Sequence, residues 1–437
     1  MKNARQTAFE ILNKIQRDNS YSNLAIDAVL EKTQAEADDK RLISALVYGV
    51  AERMITLDYQ LSLYLSQPLR KLKPQVLTIL RLGAYQILYM DKIPASAAVN
   101  ESVKLTKTNQ AQFASGLVNA VLRKIDKNGL RLPDEKADNY RSVKYSCPQW
   151  LIEMWDKAFG SENTDKLLEA SFGAVGTVIR VNTLKTDAVK LIDKLHEEGI
   201  DAVKCDEAEN ALVAEKAGAL HKTKCYAEGL FHVQDSASQL CCAALGALEN
   251  DTVLDICSAP GGKSFTIAQM MNNTGRIFSC DVYEHRLKLI ENGASRLGIT
   301  NIKVMKNDGS AVNPDMPKAD KILCDVPCAG LGVIRKKPEI RYKDSAEVDK
   351  LPELQYSILC TSANYLKQNG VLVYSTCSLN PDENENIINR FLSEHPDFRS
   401  ERVLPELPRY GENTDYISLM PHLHNCDGFF IAKLIKN

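Results

Sequence analysis

The chain is poor in everything that would place it in a membrane or route it out of the cell. In 437 residues no apolar stretch approaches the ~20 residues of a bilayer span. Met1-Lys2-Asn3-Ala4-Arg5 leads straight into an amphipathic pattern without a secretory leader. The expectation is a cytoplasmic protein with no membrane partner. A basic excess is missing too: the net charge is −2, so any affinity for nucleic acid has to come from local patches. The 12 cysteines lack a small-domain disulfide framework, and several, such as Cys280 and Cys324, sit inside apolar strands, which implies reduced thiols. Metal spacing is absent as well. Cys324 and Cys328 make one pair, but no second pair or nearby histidine completes a zinc site, and His422 and His424 have no companion ligand.

What remains is a globular composition, 44% hydrophobic and 25% charged, at a length that calls for two or three domains. The most informative stretch is Thr252–Ser378. TVLDICSAPGGKS reads as a buried strand (Val253, Leu254, Ile256), a glycine turn over Ala259–Ser264, and a helix from about Phe265 to Met271. RIFSCDV ends a second strand in Asp281, IKVMKND a third in Asp308, KILCDVPC a fourth in Asp325 with Cys328 just beyond, and VLVYSTCS a fifth in Cys377. Helical segments over Glu284–Leu297 and Leu351–Lys367 separate several of these. In an open α/β sheet the carboxyl ends of such strands converge on one crevice.

Two common nucleotide fingerprints fail at that crevice. A P-loop needs G-x-x-x-x-G-K-S, but Cys257 stands where its first glycine belongs. A dinucleotide site needs G-x-G-x-x-G, and SAPGGKS lacks it. Acidic residues after the second and third strands suit a nucleoside without a pyrophosphate. S-adenosylmethionine meets that description, with Asp281 on the ribose, Asp308 on the adenine edge and the loop around the methionine part. Two strand-end cysteines then suggest the methyl acceptor. C5 of a pyrimidine is too poor a nucleophile unaided. A thiolate adding to C6 activates it, a carboxyl near N3 stabilises the developing charge, and a base must later remove the C5 proton. Cys377, Asp325 and Cys328 are the right residue types for these three tasks.

LDICSAPGGKS, DVPCAGLGVIRKKPEIRY and YSTCSLNPDENE resemble the signature blocks of the Sun/Nop-type RNA cytosine-C5 methyltransferases. The resemblance implies that Cys377 attacks, Cys328 assists product release and Asp325 lies against the base, the reverse of the DNA cytosine enzymes, where the Pro-Cys residue attacks. It also implies that Cys257, Ser258, Ala259, Pro260, Gly261, Gly262, Lys263, Asp281, Asp308 and Asp325 contact S-adenosylmethionine. Ser258 and Ser264 are small side-chain variations that a backbone-built loop should tolerate.

Residues 1 to about 128 carry apolar residues at helical spacing, with Pro74 and Pro94 as helix starts. IPASAAVNESVKLTK followed by ASGLVNAVLRKI is similar to the RNA-binding antitermination factor NusB. Within the Sun/Nop family, a domain of this kind implies a bacterial enzyme acting on 16S rRNA, with cytosine 967 as the target. Leu130–Ser146 reads as a linker with no clear period. CPQWLIEMWDKAFG resumes a helix whose Trp150, Ile152, Met154 and Trp155 belong to a core or a stacking surface, and core is the simpler account. TVIRVNTLKT, a helix over Asp187–Glu198 and short strands at Ala211–Ala214 and Leu230–Val233 form a βαβ-like patch. Its Arg180 and Asn182 match an R-x-N block expected to touch RNA. Asp235 or Ser236 caps the helix of QDSASQLCCAALGAL; Gln234 and Asp235 facing the base is the alternative. Arg335-Lys336-Lys337, next to the Cys328 turn, and Arg70-Lys71-Lys73 are the candidate RNA patches.

The expected organisation is therefore multidomain: a NusB-like all-α bundle over 1–130, a small α/β RNA-recognition subdomain over 145–232, and a Rossmann-like α/β methyltransferase domain over 233–437. An antiparallel strand over Gly428–Leu434 returns to the last sheet. Such a protein acts as a monomer on 16S rRNA. Two other functions fit the same residues: a tRNA cytosine-C5 methyltransferase, and an RNA-binding antitermination or assembly factor with a vestigial methyltransferase fold.

Overall fold

Apolar residues at helical spacing build the first of two units. The computed structural model describes residues 3–18, 26, 29–30, 36–173, 176–215, 220–404 and 415–437. The helical reading over 1–2, 19–25, 27–28 and 31–35 lies outside the described residues. The chain divides into Met1–Phe172 with Lys336–Lys343, and Gly173–Arg335 with Asp344–Asn437.

In the first unit, helices Ala4–Asp18, Ala37–Glu52, Met54–Ser62, Pro74–Tyr89, Ala95–Thr108 and Ser115–Asn128 share one apolar core. Pro74 opens its helix at the first position, where a missing N–H costs nothing. The stretch expected to be a linker holds a short helix, Tyr140–Lys144, and two more follow at Gln149–Phe159 and Ser161–Ala170. Ile152 and Trp155 are core residues, whereas Trp150 and Met154 are half-buried. Segment Lys336–Lys343 packs here through Arg341, which is 1% exposed. Its guanidinium donates to the carbonyls of Glu52, Tyr145, Ser146 and Ser171.

The second unit carries two sheets. Strands β1 (Thr177–Val181), β2 (Ala202–Lys204), β3 (Ala211–Ala214) and β4 (Phe231–Val233) pair antiparallel in the order β2-β3-β1-β4. β1 and β2 flank β3, so the expected βαβ unit is a split one, as in ferredoxin-like folds. The larger sheet follows: β5 (Thr252–Asp255), β6 (Arg276–Asp281), β7 (Ile302–Lys306), β8 (Ala319–Asp325), β9 (Leu366–Thr376), β10 (Phe398–Glu401), β11 (Tyr416–Leu419) and β12 (Phe429–Lys436). Its order is β10-β12-β9-β8-β5-β6-β7, with β11 also on β12. β5 to β9 are parallel to one another, and β12 returns antiparallel on β9 as expected.

Alternation along these strands feeds two apolar layers. Val253, Ile277, Leu323 and Val373 face one layer, which includes helices Ser236–Leu245, Gly262–Met270 and Glu284–Leu297. Leu254, Phe278, Ile322 and Leu372 face the other, with Leu351–Ala363 and Glu385–Glu394. The helix expected to run to Lys367 stops at Ala363, because Leu366 pairs with Ala319 and starts β9 instead. The chain winds outward from β5 to β7, then crosses back to β8 and β9. That reversal puts the switch point of the sheet at the carboxyl ends of β5 and β8.

Candidate active site

The predicted strand-end residues lie along one end of the sheet because the parallel strands all run the same way, with Asp325 at the switch point and Asp281 and Asp308 at or just past the ends of the outer strands β6 and β7. β5 runs out at Asp255, and the loop behind it is pinned to β6 by Ser258, whose N–H and Oγ both donate to the Cys280 carbonyl (2.8 and 3.0 Å). Gly261 has φ +107°, and a Cβ there would lie 2.4 Å from the Phe265 ring, so the turn needs glycine. The helix therefore starts at Gly262, three residues earlier than the sequence suggests. Ser264 Oγ ties its first turn to Asp255 Oδ2 and to Ser279 Oγ, each at 2.6 Å.

Lys263 leaves this turn to meet Asp325 at the end of β8, with Nζ 2.7 Å from Oδ2. Ser375 Oγ donates to the other carboxylate oxygen at 2.9 Å. Burial alone would lower the lysine's pKa, but the Asp325 carboxylate outweighs it and holds the ammonium charged. β8 and β9 are adjacent, with Asp325 opposite Ser375. The residues just past them, Cys328 and Cys377, consequently meet with Sγ atoms 3.3 Å apart, unbonded and half-buried. The two thiols are not equivalent. The hydrogen bond between them, and then burial, push Cys328 well above its ordinary pKa. The same hydrogen bond, helped by the Lys263 charge, holds Cys377 below its own, against burial and Asp325. Cys377 is the sulfur that ionises first.

A cavity of about 180 Å³ opens beside the Lys263–Asp325 pair, lined by Cys257–Pro260, Gly262, Gln234 and Asp255 among others; Cys328, Cys377, Asp281 and Asp308 are not among its lining residues. Two buried polar atoms at its wall, Asp255 Oδ1 and Gln234 Nε2, have no protein partner. One orphan acceptor, one orphan donor and a lysine–carboxylate pair fit a ligand carrying both an amino and a carboxylate group, as S-adenosylmethionine does. Burial raises the Asp255 carboxyl to about 7. Asp281 and Asp308 lie on the neighbouring strand ends. Asp281 is 4% exposed and pairs with Arg286 at 3.0 Å, and Arg286 also donates to the Ala259 carbonyl of the loop. Asp308 is exposed and accepts from Ser310 N–H and Oγ, which lowers its pKa.

The other candidate residues lie elsewhere. Asp235 caps its helix by accepting from Ala237 N–H. Arg180 and Asn182 are buried, at 7% and 0% exposure, and Arg180 lies at the wall of a cavity of about 360 Å³. Arg180 donates to Gln269, Gln239 and the Glu209 carbonyl, and Asn182 to the carbonyls of Gly229 and Leu297, so both brace the small sheet against the large one. Lys336 and Lys337 belong to the segment that packs in the helical unit. Arg70, Lys71 and Lys73 are exposed, and Lys73 Nζ lies 4.7 Å from the ring of Phe113, itself 67% exposed. Sequence reasoning missed Asp255 and Ser375, although Asp255 ends its strand in the same way as Asp281 and Asp325 do.

Comparison with known proteins matches three segments of the chain. A family described as 16S rRNA methyltransferase RsmB/F matches residues 242–435, the NusB family matches 2–127, and an RsmF/B-like ferredoxin-like domain matches 147–221. The probable ribosomal RNA small subunit methyltransferase B of Bacillus subtilis (strain 168) is 37% identical, over 99% of this chain and 98% of its own. Its counterpart in Synechocystis sp. (strain ATCC 27184 / PCC 6803 / Kazusa) is 36% identical over 100% of both. The crystal structure of NSun6 from Pyrococcus horikoshii with SFG, an analogue of S-adenosylmethionine, superposes with a TM-score of 0.61 at 25% identity, over 66% of this chain and 98% of that one. No helix among the described residues is long and apolar enough to cross a membrane. With a NusB-family bundle, a ferredoxin-like sheet and a methyltransferase sheet in that order, and full-length relatives above 30% identity, the chain belongs to the RsmB/F family of 16S rRNA methyltransferases.

Proposed function

We propose that this protein methylates C5 of a cytosine in 16S rRNA, cytosine 967 by family resemblance, through a covalent bond between Cys377 and C6. The observation that carries this reading is the 3.3 Å pairing of two unequal thiols beside the Lys263–Asp325 ion pair. Cys377 Sγ, as thiolate, bonds to C6, and the C5=C6 electrons move toward C5 and the N3 side of the ring. Asp325, held by Lys263 and Ser375, faces the base and positions it. Cys257–Lys263, Asp281, Asp308 and Asp325 would hold S-adenosylmethionine, which would supply the methyl group for C5. Once Cys377 is bonded to C6 and no longer shares its hydrogen bond, Cys328 gives its own proton to solvent; as thiolate it takes the C5 proton, the double bond re-forms and Cys377 leaves as thiolate. The target must be unstacked to reach both sulfurs, which favours an unpaired or splayed nucleotide.

The chemistry belongs to residues 233–437, with RNA held by 1–130 and 145–232. The NusB-family segment and the names of the full-length relatives favour small-subunit RNA over tRNA. The intact Lys263, Asp325, Cys328 and Cys377 set favours an enzyme over an assembly factor with a vestigial fold. Transfer of a tritiated methyl group to unmodified small-subunit RNA, with bisulfite mapping of the product, tests the reading. Label at a single cytosine, lost in Cys377→Ala while that variant still binds S-adenosylmethionine, is the expected result. Label on tRNA alone, on a base other than cytosine, or persisting in Cys377→Ala would overturn it.

A further inference from the structure

Glu383 is buried at 0% exposure, yet it carries a carboxylate that the chemistry above does not use. Its Oε1 accepts from the backbone N–H of Ala329 at 2.7 Å and from Gln355 Nε2 at 2.8 Å. The same Gln355 nitrogen donates to the Pro327 carbonyl at 2.9 Å. Both neighbours of Cys328 are thereby held through one carboxylate oxygen. The other oxygen accepts from the hydroxyl of Ser378, the residue after Cys377. The Glu383 carbonyl accepts from Tyr374 on β9 at 2.6 Å. Asn384 completes the clamp: Thr376 Oγ1 donates to its Oδ1, and its Nδ2 donates to the Ser378 carbonyl.

Burying a carboxylate among neutral donors is costly, and the geometry has to be specific for it to be stable. Here every residue flanking the two sulfurs is tied to one dipeptide. We propose that Glu383 is a positioning residue for methyl transfer: it locks the two thiol-bearing segments in register and sets a fixed negative charge on the Cys328 side of the pair. This rests on the reading that the two thiols act together.

The charges around the sulfurs fit this role. Cys328 faces Cys377, Glu383 and Asp325, all of which disfavour its thiolate. Cys377 faces Lys263, which favours its thiolate, and Asp325 and Asp427, which do not. Glu383 thus helps Cys328 to keep its proton while Cys377 ionises. A glutamine at 383 keeps the shape and can still accept from Ala329 and donate to Ser378, but it removes the charge. An alanine removes the clamp.

The test reads the thiols directly, in the full-length protein without RNA. Site-resolved alkylation by iodoacetamide across pH, followed by mass spectrometry, reports each thiolate. Glu383→Gln is expected to move the Cys328 curve to lower pH, raising its rate near neutrality by a factor of about 3–10, with the melting temperature retained. Glu383→Ala is expected to slow diamide-driven coupling of Cys328 to Cys377, and to lower single-turnover methyl transfer by roughly 100-fold with cofactor affinity held within about twofold. An unmoved Cys328 curve in Glu383→Gln, or unchanged coupling in Glu383→Ala, overturns the proposal. These thiol measurements need no methyl transfer, so their failure is distinct from the failure of the reading beneath it, which Cys377→Ala retaining activity would signal.

Discussion

A thiol and a thiolate in hydrogen-bond contact can divide a reaction between them only if something decides which one holds the proton. At Cys377 and Cys328 the shared hydrogen bond raises one thiol and lowers the other, with Lys263 adding to the fall at Cys377, Glu383 adding to the rise at Cys328, and Asp325 opposing ionisation at both. Asp255 shows the same dependence on environment. Burial lifts it from 3.8 to about 7, so between those values the folded protein holds a proton that the unfolded chain has released. Stability contributed by this group therefore falls as pH rises from about 4 to 7 and levels off above, by an amount on the order of 4 kcal/mol if nothing relaxes. Asp255→Asn is expected to flatten that part of the profile, so that its melting temperature exceeds wild type more at pH 8 than at pH 5. Thermal melts at the two values check this; parallel profiles would show that Asp255 is ionised in the fold. The pairing of the cysteines was legible in the sequence because both follow apolar runs of the right length. The burial of Arg180 and Asn182 was not, since their partners, Gln239, Gln269 and the Leu297 carbonyl, lie 59 to 115 residues away.

At the scale of elements, the strands β5 to β9 could be read from their apolar runs and polar ends, and the helix Glu284–Leu297 from its period. What could not be read is the stitching between loops. Gly332, four residues past Cys328, donates its N–H to the Cys377 carbonyl at 2.9 Å and accepts from Gly428 N–H at 2.8 Å. A Cβ on Gly332 would lie 1.9 Å from the Gly428 carbonyl oxygen. No local pattern announces a glycine pair 96 residues apart, yet it decides how closely the Cys328 loop approaches the start of β12. Gly332→Ala is expected to cost about 1–3 kcal/mol, as overpacking does, and to reduce methyl transfer more than it reduces cofactor affinity. Denaturant unfolding and single-turnover rates measured together check this; wild-type values in both would mean that the loop moves aside freely. The start of β9 was misread as helix for a similar reason. Leu366 owes its extended backbone to Ala319 across the sheet, not to its neighbours in sequence.

For the whole molecule, composition and motif spacing announced several domains, and the comparisons carry the same three in order. The excursion of Lys336–Lys343 into the helical unit was invisible in the sequence, because its anchor, Arg341, is held by carbonyls of four distant residues. Arg341→Met should leave those carbonyls short of a donor, at about 1–3 kcal/mol for a buried group left unpaired. Hydrogen exchange should then quicken in the helices ending near Glu52 and Ala170 while β5 and β8 keep their protection. Equal exchange in both proteins would mean that the segment is not an anchor.

The proposed reaction rests on one arrangement, two sulfurs 3.3 Å apart just past adjacent strand ends. The most direct test is a denaturing gel of Cys328→Ala and Cys377→Ala after incubation with unmodified small-subunit RNA and S-adenosylmethionine. Cys328→Ala is predicted to trap a covalent RNA adduct that survives denaturation, and Cys377→Ala to form none. An adduct in Cys377→Ala, with none in Cys328→Ala, would contradict the account.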